Sequence, residues 1–237
     1  MNLYILDYAD EGLGVYRDAP QVGDVLSPME DEKLRNLLRM LMLEVERRRT
    51  LLAGGMGFAA LPERLARAGL PHILVIDHHI HVLKEKLNDD LGPLTRLLRD
   101  GPRYGVSFLG TTTAPGQTGF KLQEAFPQSY VLQLDRSDDY SLLLGRTGGF
   151  QPEAVRGRGI IRLDNLCEYQ TATADSDPEE LCRQLTVLHP GQKAPEVRVL
   201  PDRVTADSLR AFLRPEEPWT VPVGLDCMTL AAGPGGR

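Results

Sequence analysis

Short apolar runs alternate along this chain with longer stretches in which leucines recur at helical spacing. Leu3 to Asp7 is the first run and reads as a buried strand. Ser27-Pro28-Met29-Glu30 then predicts a helix start, with a capping serine, a proline in the first turn and a glutamate placed for a capping box. That helix is expected to reach about Leu52, where Gly54-Gly55 stops it. Leu34, Leu37, Leu38, Leu41 and Val45 form its apolar stripe, which should lie on a sheet. Ile73 to Asp77 reads as the next strand, Leu83 to Asp100 mainly as helix, and Gly105 to Thr113 as another strand with a polar exit. Further strands are expected at Tyr130 to Leu134 and Gly159 to Leu163, the latter with a hairpin partner near Glu168 to Thr173. Strands alternating with helices in this way predict an α/β fold, a mostly parallel sheet flanked by helices.

Past Thr173 the texture changes. Asp177-Pro178-Glu179-Glu180 caps one more helix, and His189 to Pro195 reads as a linker. Val197 to Leu200 is a candidate strand and Thr205 to Leu213 a candidate short helix, whereas Pro215, Pro218, Pro222 and Gly233-Pro234-Gly235-Gly236 are not core material. With 237 residues and 42% hydrophobic content, one α/β domain plus a small C-terminal appendage is the natural partition. The formal net charge of −6 argues against a uniformly basic nucleic-acid surface, although Arg47-Arg48-Arg49 is a local basic stretch. Cys167, Cys182 and Cys227 have no C-x-x-C spacing and fit a reducing compartment better than a disulfide framework. The opening Met1 to Asp7 reads as a strand rather than a signal peptide, and the sequence shows no membrane span.

The candidate chemistry sits at the ends of the strands. Ile73-Leu74-Val75-Ile76-Asp77 is an apolar strand closed by an aspartate, the form of a Walker B element, but His78 follows where a P-loop ATPase usually has a carboxylate. The glycine loop G-x-x-x-x-G-K-[ST], whose backbone N–H groups and lysine hold phosphates, does not occur in the sequence. Asp77 has two readings: a cap on the turn after a core strand, or a ligand-facing carboxylate, since ligands gather at strand C-termini in open α/β sheets. His78, His79 and His81 raise a metal hypothesis that lacks a completing cysteine or H-x-x-x-H. Arg47, Arg48 and Arg49 read as a solvated helix face or as a contact to a neighbouring subunit's nucleotide or to nucleic acid. Thr111 to Thr113 can be plain strand residues, and Arg146 and Arg158 surface ion-pair partners.

In order along the chain, Leu3-Tyr4-Ile5-Leu6-Asp7-Tyr8, Glu46 to Leu52, Ile73 to Asp77, Gly105 to Pro115, Asp138 to Arg146 and Gly157 to Leu163 resemble segments of the FtsK/SpoIIIE ATPase superfamily. More particularly, they resemble an ATPase module of the EccC/EssC motor of type VII secretion, over roughly residues 1 to 175. The resemblance implies a partial P-loop NTPase of RecA/FtsK-like fold, with ATP and Mg as cofactors once a glycine loop is supplied. It makes Asp77 the Walker B-like residue that holds magnesium through water. His78 then stands at the usual catalytic glutamate position, where it is inactive. The family's A-T-Q-R-P stretch appears as Thr111-Thr112-Thr113-Ala114-Pro115, which makes Thr112 sensor-like and leaves the glutamine and arginine replaced by Thr113 and Ala114. Asn36 falls where some members place an arginine finger, and Arg35 lies one residue off.

Val221 to Asp226 resembles the phrase that opens each successive module of the type VII motors. By that resemblance residues 1–188 are an ATPase module lacking its glycine-loop segment, residues 189–237 are a linker and the start of the next module, and Met1 is a truncated start. The missing strand is expected between the Walker B strand and the Thr111 to Thr113 strand, so the sheet should lose its central member and be marginal.

The function implied first is a degenerate nucleotide-binding module of a type VII secretion motor that regulates or recognises export substrates. Alone it does not hydrolyse ATP. Its partners would be sister ATPase modules and WXG-type secretion substrates, in the cytoplasm at the inner face of the bacterial membrane, which it meets only through a parent protein. The alternatives are a fragment of an FtsK/SpoIIIE-type DNA translocase and a protein-interaction scaffold that binds no nucleotide.

Overall fold

The computed structural model describes residues 1–9, 12–53, 60–87, 90–174, 177–205 and 209, together with the strands at 222–225 and 232–234. In chain order the elements are β1 (Asn2–Asp7), a 3-10 turn (Gly12–Tyr16), β2 (Val22–Leu26), α1 (Asp31–Ala53), α2 (Leu61–Arg67), β3 (Ile73–His78), α3 (Ile80–Lys86) and α4 (Gly92–Asp100). A second 3-10 turn (Gly101–Tyr104) leads to β4 (Val106–Gly110), α5 (Pro115–Thr118), α6 (Phe120–Ala125), β5 (Tyr130–Val131), α7 (Ser137–Leu144), β6 (Arg158–Arg162), β7 (Leu166–Gln170) and α8 (Pro178–Leu188). The strands β8 (Pro222–Leu225) and β9 (Ala232–Pro234) form an antiparallel pair.

The main sheet has the order β2-β1-β3-β4, and every pair in it is parallel. Its two faces are covered by different elements. Tyr4, Leu6, Tyr8, Ile73 and Val75 lie with Leu34, Leu37, Leu38, Leu41 and Val45 of α1, and with Leu83, Leu94 and Leu97 of α3 and α4, in the larger core. Ile5, Val22 and Val25 turn the other way, toward Tyr16 of the first 3-10 turn and Cys182 of α8. The α1 stripe is therefore buried at all five predicted positions.

The start of α1 differs from the expected one by three residues. Glu30 accepts the Ser27 backbone N–H at 2.9 Å, which is half of a capping box, and the helix proper begins at Asp31. The stretch expected as one helix from Leu83 to Asp100 is two, α3 and α4. Pro93 fits only a first turn, because it has no N–H to donate and its ring clashes with the preceding turn. The Tyr130 strand is two residues long, and the hairpin β6-β7 is present with its second strand shifted toward Leu166. Together β5, β6 and β7 make a separate antiparallel sheet that packs Val131 and Ile160 on Tyr140 and Leu144 of α7.

One expectation about the sheet is overturned. β3 pairs directly with β4, in register from Ile73↔Val106 to Asp77↔Gly110, so no slot for a further strand lies between them. The Ile73 N–H donates to Gly105 O at 2.8 Å and the Thr111 N–H to Asp77 O at 2.9 Å, closing the ladder at both ends. β4 is the edge. Because alternate residues of a strand face opposite sides, the N–H and C=O groups of Phe108 and Gly110 point away from β3 and have no strand partner among the described residues.

The other edge is β2, beside whose start a later segment passes. After α8 the chain rounds β2: the Ala194 N–H donates to Pro20 O at 2.8 Å, and Val197 enters the larger core. Residues 197–200, a candidate strand by sequence, pair with no strand. Of the candidate helix from Thr205 to Leu213, most positions lie outside the described residues. Among the described residues, no helix is long and apolar enough to cross a membrane.

Candidate functional site

The carboxyl ends of β1, β3 and β4 meet at one end of the sheet and bring Asp7, Tyr8, Asp77, His78, His79 and Thr111 together. Asp77 follows Ile73 and Val75 on the larger-core face, by the alternation of the strand. It is 1% exposed, and neither carboxylate oxygen has a hydrogen-bond partner. Burial alone pushes its pKa up to about 8, because the charged form has lost its water without gaining a donor. Tyr8, also buried, is pushed well above the ordinary phenol range, first by burial and then by the Asp77 charge.

Gly110 stands opposite Asp77 in the ladder and is roofed by other side chains. A Cβ there would lie 2.8 Å from Ile80 Cδ1 and 3.4 Å from Phe126 Cζ. The glycine lets Ile80, the first residue of α3, close over the strand end.

His79 joins β3 to α3 in a left-handed conformation, with φ of 75°. Such a backbone is uncommon outside glycine, asparagine and aspartate, and when held by its surroundings it costs on the order of 1 kcal/mol or more. Thr111 does the holding. Its hydroxyl oxygen accepts the His79 N–H at 3.1 Å and lies 3.0 Å from His78 Nδ1, while its carbonyl accepts the Ile80 N–H at 3.0 Å. The three imidazoles are neighbours, with ring centroids 4.7 Å apart for His78 and His79 and 5.4 Å for His79 and His81. Nδ1 of His79 and Nδ1 of His81 are buried without partners. Even so, among the described residues no group of three or more His, Cys, Asp or Glu side chains is arranged to hold a metal ion.

Thr112 is not part of this stitch. Its hydroxyl is exposed and donates to Gln117 Oε1 at 3.0 Å, as does the hydroxyl of Thr113. Gln117, in α5, is a polar group at the strand exit that sequence reading missed. Asp7 is another. It is 2% exposed, one oxygen accepts the Leu13 N–H at 2.8 Å, and the other has no partner. Its signal was present in the sequence, since Leu3 to Asp7 and Ile73 to Asp77 are both apolar runs closed by an aspartate.

The arginines of α1 separate into two kinds. Arg47 and Arg49 lie on the outside and pair with Glu44 and Glu46. Arg48 is 1% exposed, so the solvated-face reading fails for it. Its guanidinium donates to Glu44 at 2.7 Å, to the Tyr104 and Gly105 carbonyls at 3.0 and 3.3 Å, and to Pro71 O at 2.8 Å. It thereby ties α1 to the segments entering β3 and β4. Asn36 is buried and donates to Arg198 O at 2.8 Å, which spends its amide inside the chain. Arg158 pairs with Glu168 at 3.6 Å and Glu153 at 3.9 Å.

Compared with known proteins, the chain matches no family model. It is 23% identical to the ESX-3 secretion system protein EccC3 of Mycobacterium tuberculosis, over 90% of this chain and 17% of that protein. Among solved structures, EssC (ATPases 2 and 3) from Geobacillus thermodenitrificans superposes with a TM-score of 0.81 at 22% identity, covering 99% of this chain and 47% of that one. EccC (ATPases 2 and 3) from Thermomonospora curvata, in complex with a signal sequence peptide, superposes with a TM-score of 0.71 at 19% identity, covering 99% and 44%. The chain thus spans about a sixth of the length of the curated relative and less than half of these solved chains. At such identities the superpositions show the fold alone: the chain has the α/β fold of those EssC and EccC ATPase domains, and its sequence is similar to EccC3 over most of its length.

Proposed function

We propose that this chain is the nucleotide-facing part of a type VII secretion motor module, one that holds a metal-bound nucleotide with little turnover and recognises export substrates. The observation that carries the reading is Asp77, a carboxylate at the carboxyl end of a central parallel strand with both oxygens unpartnered and buried. An orphaned carboxylate in that position fits the cation end of a magnesium nucleotide, reached through a bound water. A bound cation would reverse the effect of burial and return the carboxyl to its charged form.

The phosphate end has no comparable fit, since the sequence contains no glycine loop. The reading therefore needs that loop from polypeptide beyond these residues, and the outer edge of β4, with Phe108 and Gly110 turned toward it, is where its strand would pair. The nucleotide, once bound, would supply phosphate charge and binding energy. The chain's own residues would orient it. Asp77 would face the cation, and Thr111 fixes the β3–α3 turn beside it. His78 puts an imidazole, with Nδ1 3.0 Å from the Thr111 hydroxyl, where a carboxylate base would stand, and that replacement is the ground for little turnover.

A second reading has its own observation. Asp77 is 1% exposed and burial pushes its pKa up to about 8, which favours the neutral form, as in a scaffold that keeps the fold without nucleotide. In either case the setting is the cytoplasmic part of a larger assembly with sister modules, and it meets the membrane only through its parent.

Fluorescence anisotropy with a labelled C-terminal peptide of a WXG-type substrate and with duplex DNA tests the secretion reading. Saturable peptide binding that survives about 0.3 M salt is expected, together with DNA binding that disappears there. DNA binding without peptide binding would move the chain to the translocase class.

A further inference from the structure

The two halves of the main sheet are covered differently. β2 is buried at every position, and β1 from Tyr4 to Asp7. β3 is buried only at Ile73, Val75 and Asp77, which face the larger core. On its other face Leu74 and Ile76 are half-buried, and Leu109 of β4 beside them is 47% exposed. The elements that close the smaller-core face, α8 and the first 3-10 turn, pack on Ile5, Val22 and Val25 of β1 and β2 and reach β3 only at Ile76. In register, Leu74 stands beside Ser107 and Ile76 beside Leu109. These aliphatic side chains form a strip between two imidazole–hydroxyl pairs. His72 Nε2 lies 3.1 Å from Ser107 Oγ at the amino end, and His78 Nδ1 lies 3.0 Å from Thr111 Oγ1 at the carboxyl end. Parallel sheets are ordinarily covered on both faces, and over this strip the described residues supply no cover.

We infer that the Leu74–Ile76–Leu109 strip is the seat of one amphipathic helix, which runs from a strand paired at the outer edge of β4 back to the amino end of β1. The inference rests on the reading that such a strand pairs at β4. Handedness then selects the face, because connections between parallel strands are right-handed in nearly all cases. α1, leading from β2 to β3, and the α3–α4 pair, leading from β3 to β4, advance toward the β4 side and lie on the larger-core face. The first 3-10 turn, leading from β1 to β2, advances the opposite way and lies on the smaller-core face. A connection from beyond β4 back to β1 advances in that second sense, so its helix belongs on the smaller-core face, across β4 and β3. The strip also has the size of a single helix. Two strands spaced about 5 Å apart offer a band about 10 Å wide, close to the diameter of a helix. The helix would turn an apolar stripe to Leu74, Ile76 and Leu109. Its first turn would open beside His78 and Thr111, with free N–H groups at the end of the sheet proposed to face phosphates.

Amide hydrogen exchange and side-chain oxidation footprinting test it, on the full chain and on the chain extended at its amino end by a strand, glycine loop and helix. The two readouts separate the strand from the helix. Exchange at the Phe108 and Gly110 amides reports a strand on the β4 edge, and it should slow by at least about tenfold on extension. Oxidation of Leu74 and Ile76 reports the helix, because these residues lie on β3, one strand in from that edge, where a strand paired to β4 does not cover them. Both should lose most of their oxidation on extension, while Leu163, 60% exposed beyond the small sheet, should be oxidised equally in the two proteins. Protected amides with Leu74 and Ile76 oxidised as before would overturn the helix seat and leave the strand reading standing. Unchanged amides together with unchanged side chains would remove both.

Discussion

Asp77 carries a stability signature of its own. Its pKa rises from the ordinary carboxylate value to about 8 on folding, so between about pH 4 and pH 8 the unfolded chain has lost a proton that the native chain keeps. Stability from this group is fully present below pH 4 and is lost as pH rises toward 8. Asp77→Asn, which has no charge to bury, should match the parent near pH 4 and exceed it by about 5 kcal/mol near pH 8. Urea unfolding across that range measures the difference, and parallel curves would mean that Asp77 has a donor in solution. That an aspartate closes β3 was legible in the sequence; that nothing donates to it was not, because the donors near a strand end are set by what distant segments bring there. Arg48 shows the reverse. Positions 41, 45, 48 and 52 continue the apolar spacing of α1, so the period marked 48 as buried, and only the residue type pointed outward.

At the scale of elements, the strand and helix periods located β1, β3, β4, α1 and the β6–β7 hairpin, since each is set by local alternation or by caps. β2, α2 and the short helices after β4 were not read as elements, and the sheet order followed from none of these signals. Order is decided by which strand edges meet across distant segments, and the ladder from Ile73↔Val106 to Asp77↔Gly110 put β4 beside β3. The same ladder explains Gly110. Gly110→Val would drive a branched side chain into Ile80 and Phe126 and should cost about 2–3 kcal/mol. Leu109→Thr, half-exposed on the other face of the strand, should fall within about 0.5 kcal/mol. Denaturant midpoints of the two variants compare these costs directly, and equal midpoints would mean that Ile80 does not roof the strand.

The described residues join a parallel sheet, with β4 at an edge that has no strand partner among them, to a small antiparallel sheet with its own core. Its net charge of −6 and the pairing of Arg47 and Arg49 with glutamates leave no evident basic face for DNA on α1. Among the described residues, the carboxyl end of the sheet holds a carboxylate without a hydrogen-bond partner, close to an edge without a strand. The Asp77 carboxylate and the outer edge of β4 are proposed to serve one nucleotide site. Calorimetric titration of magnesium-ATP into the chain extended by a strand, glycine loop and helix, with and without Asp77→Ala, tests it most directly. Saturable, magnesium-dependent binding that weakens at least about tenfold in the variant is expected. Absence of binding in the extended chain, or binding indifferent to Asp77, would contradict it.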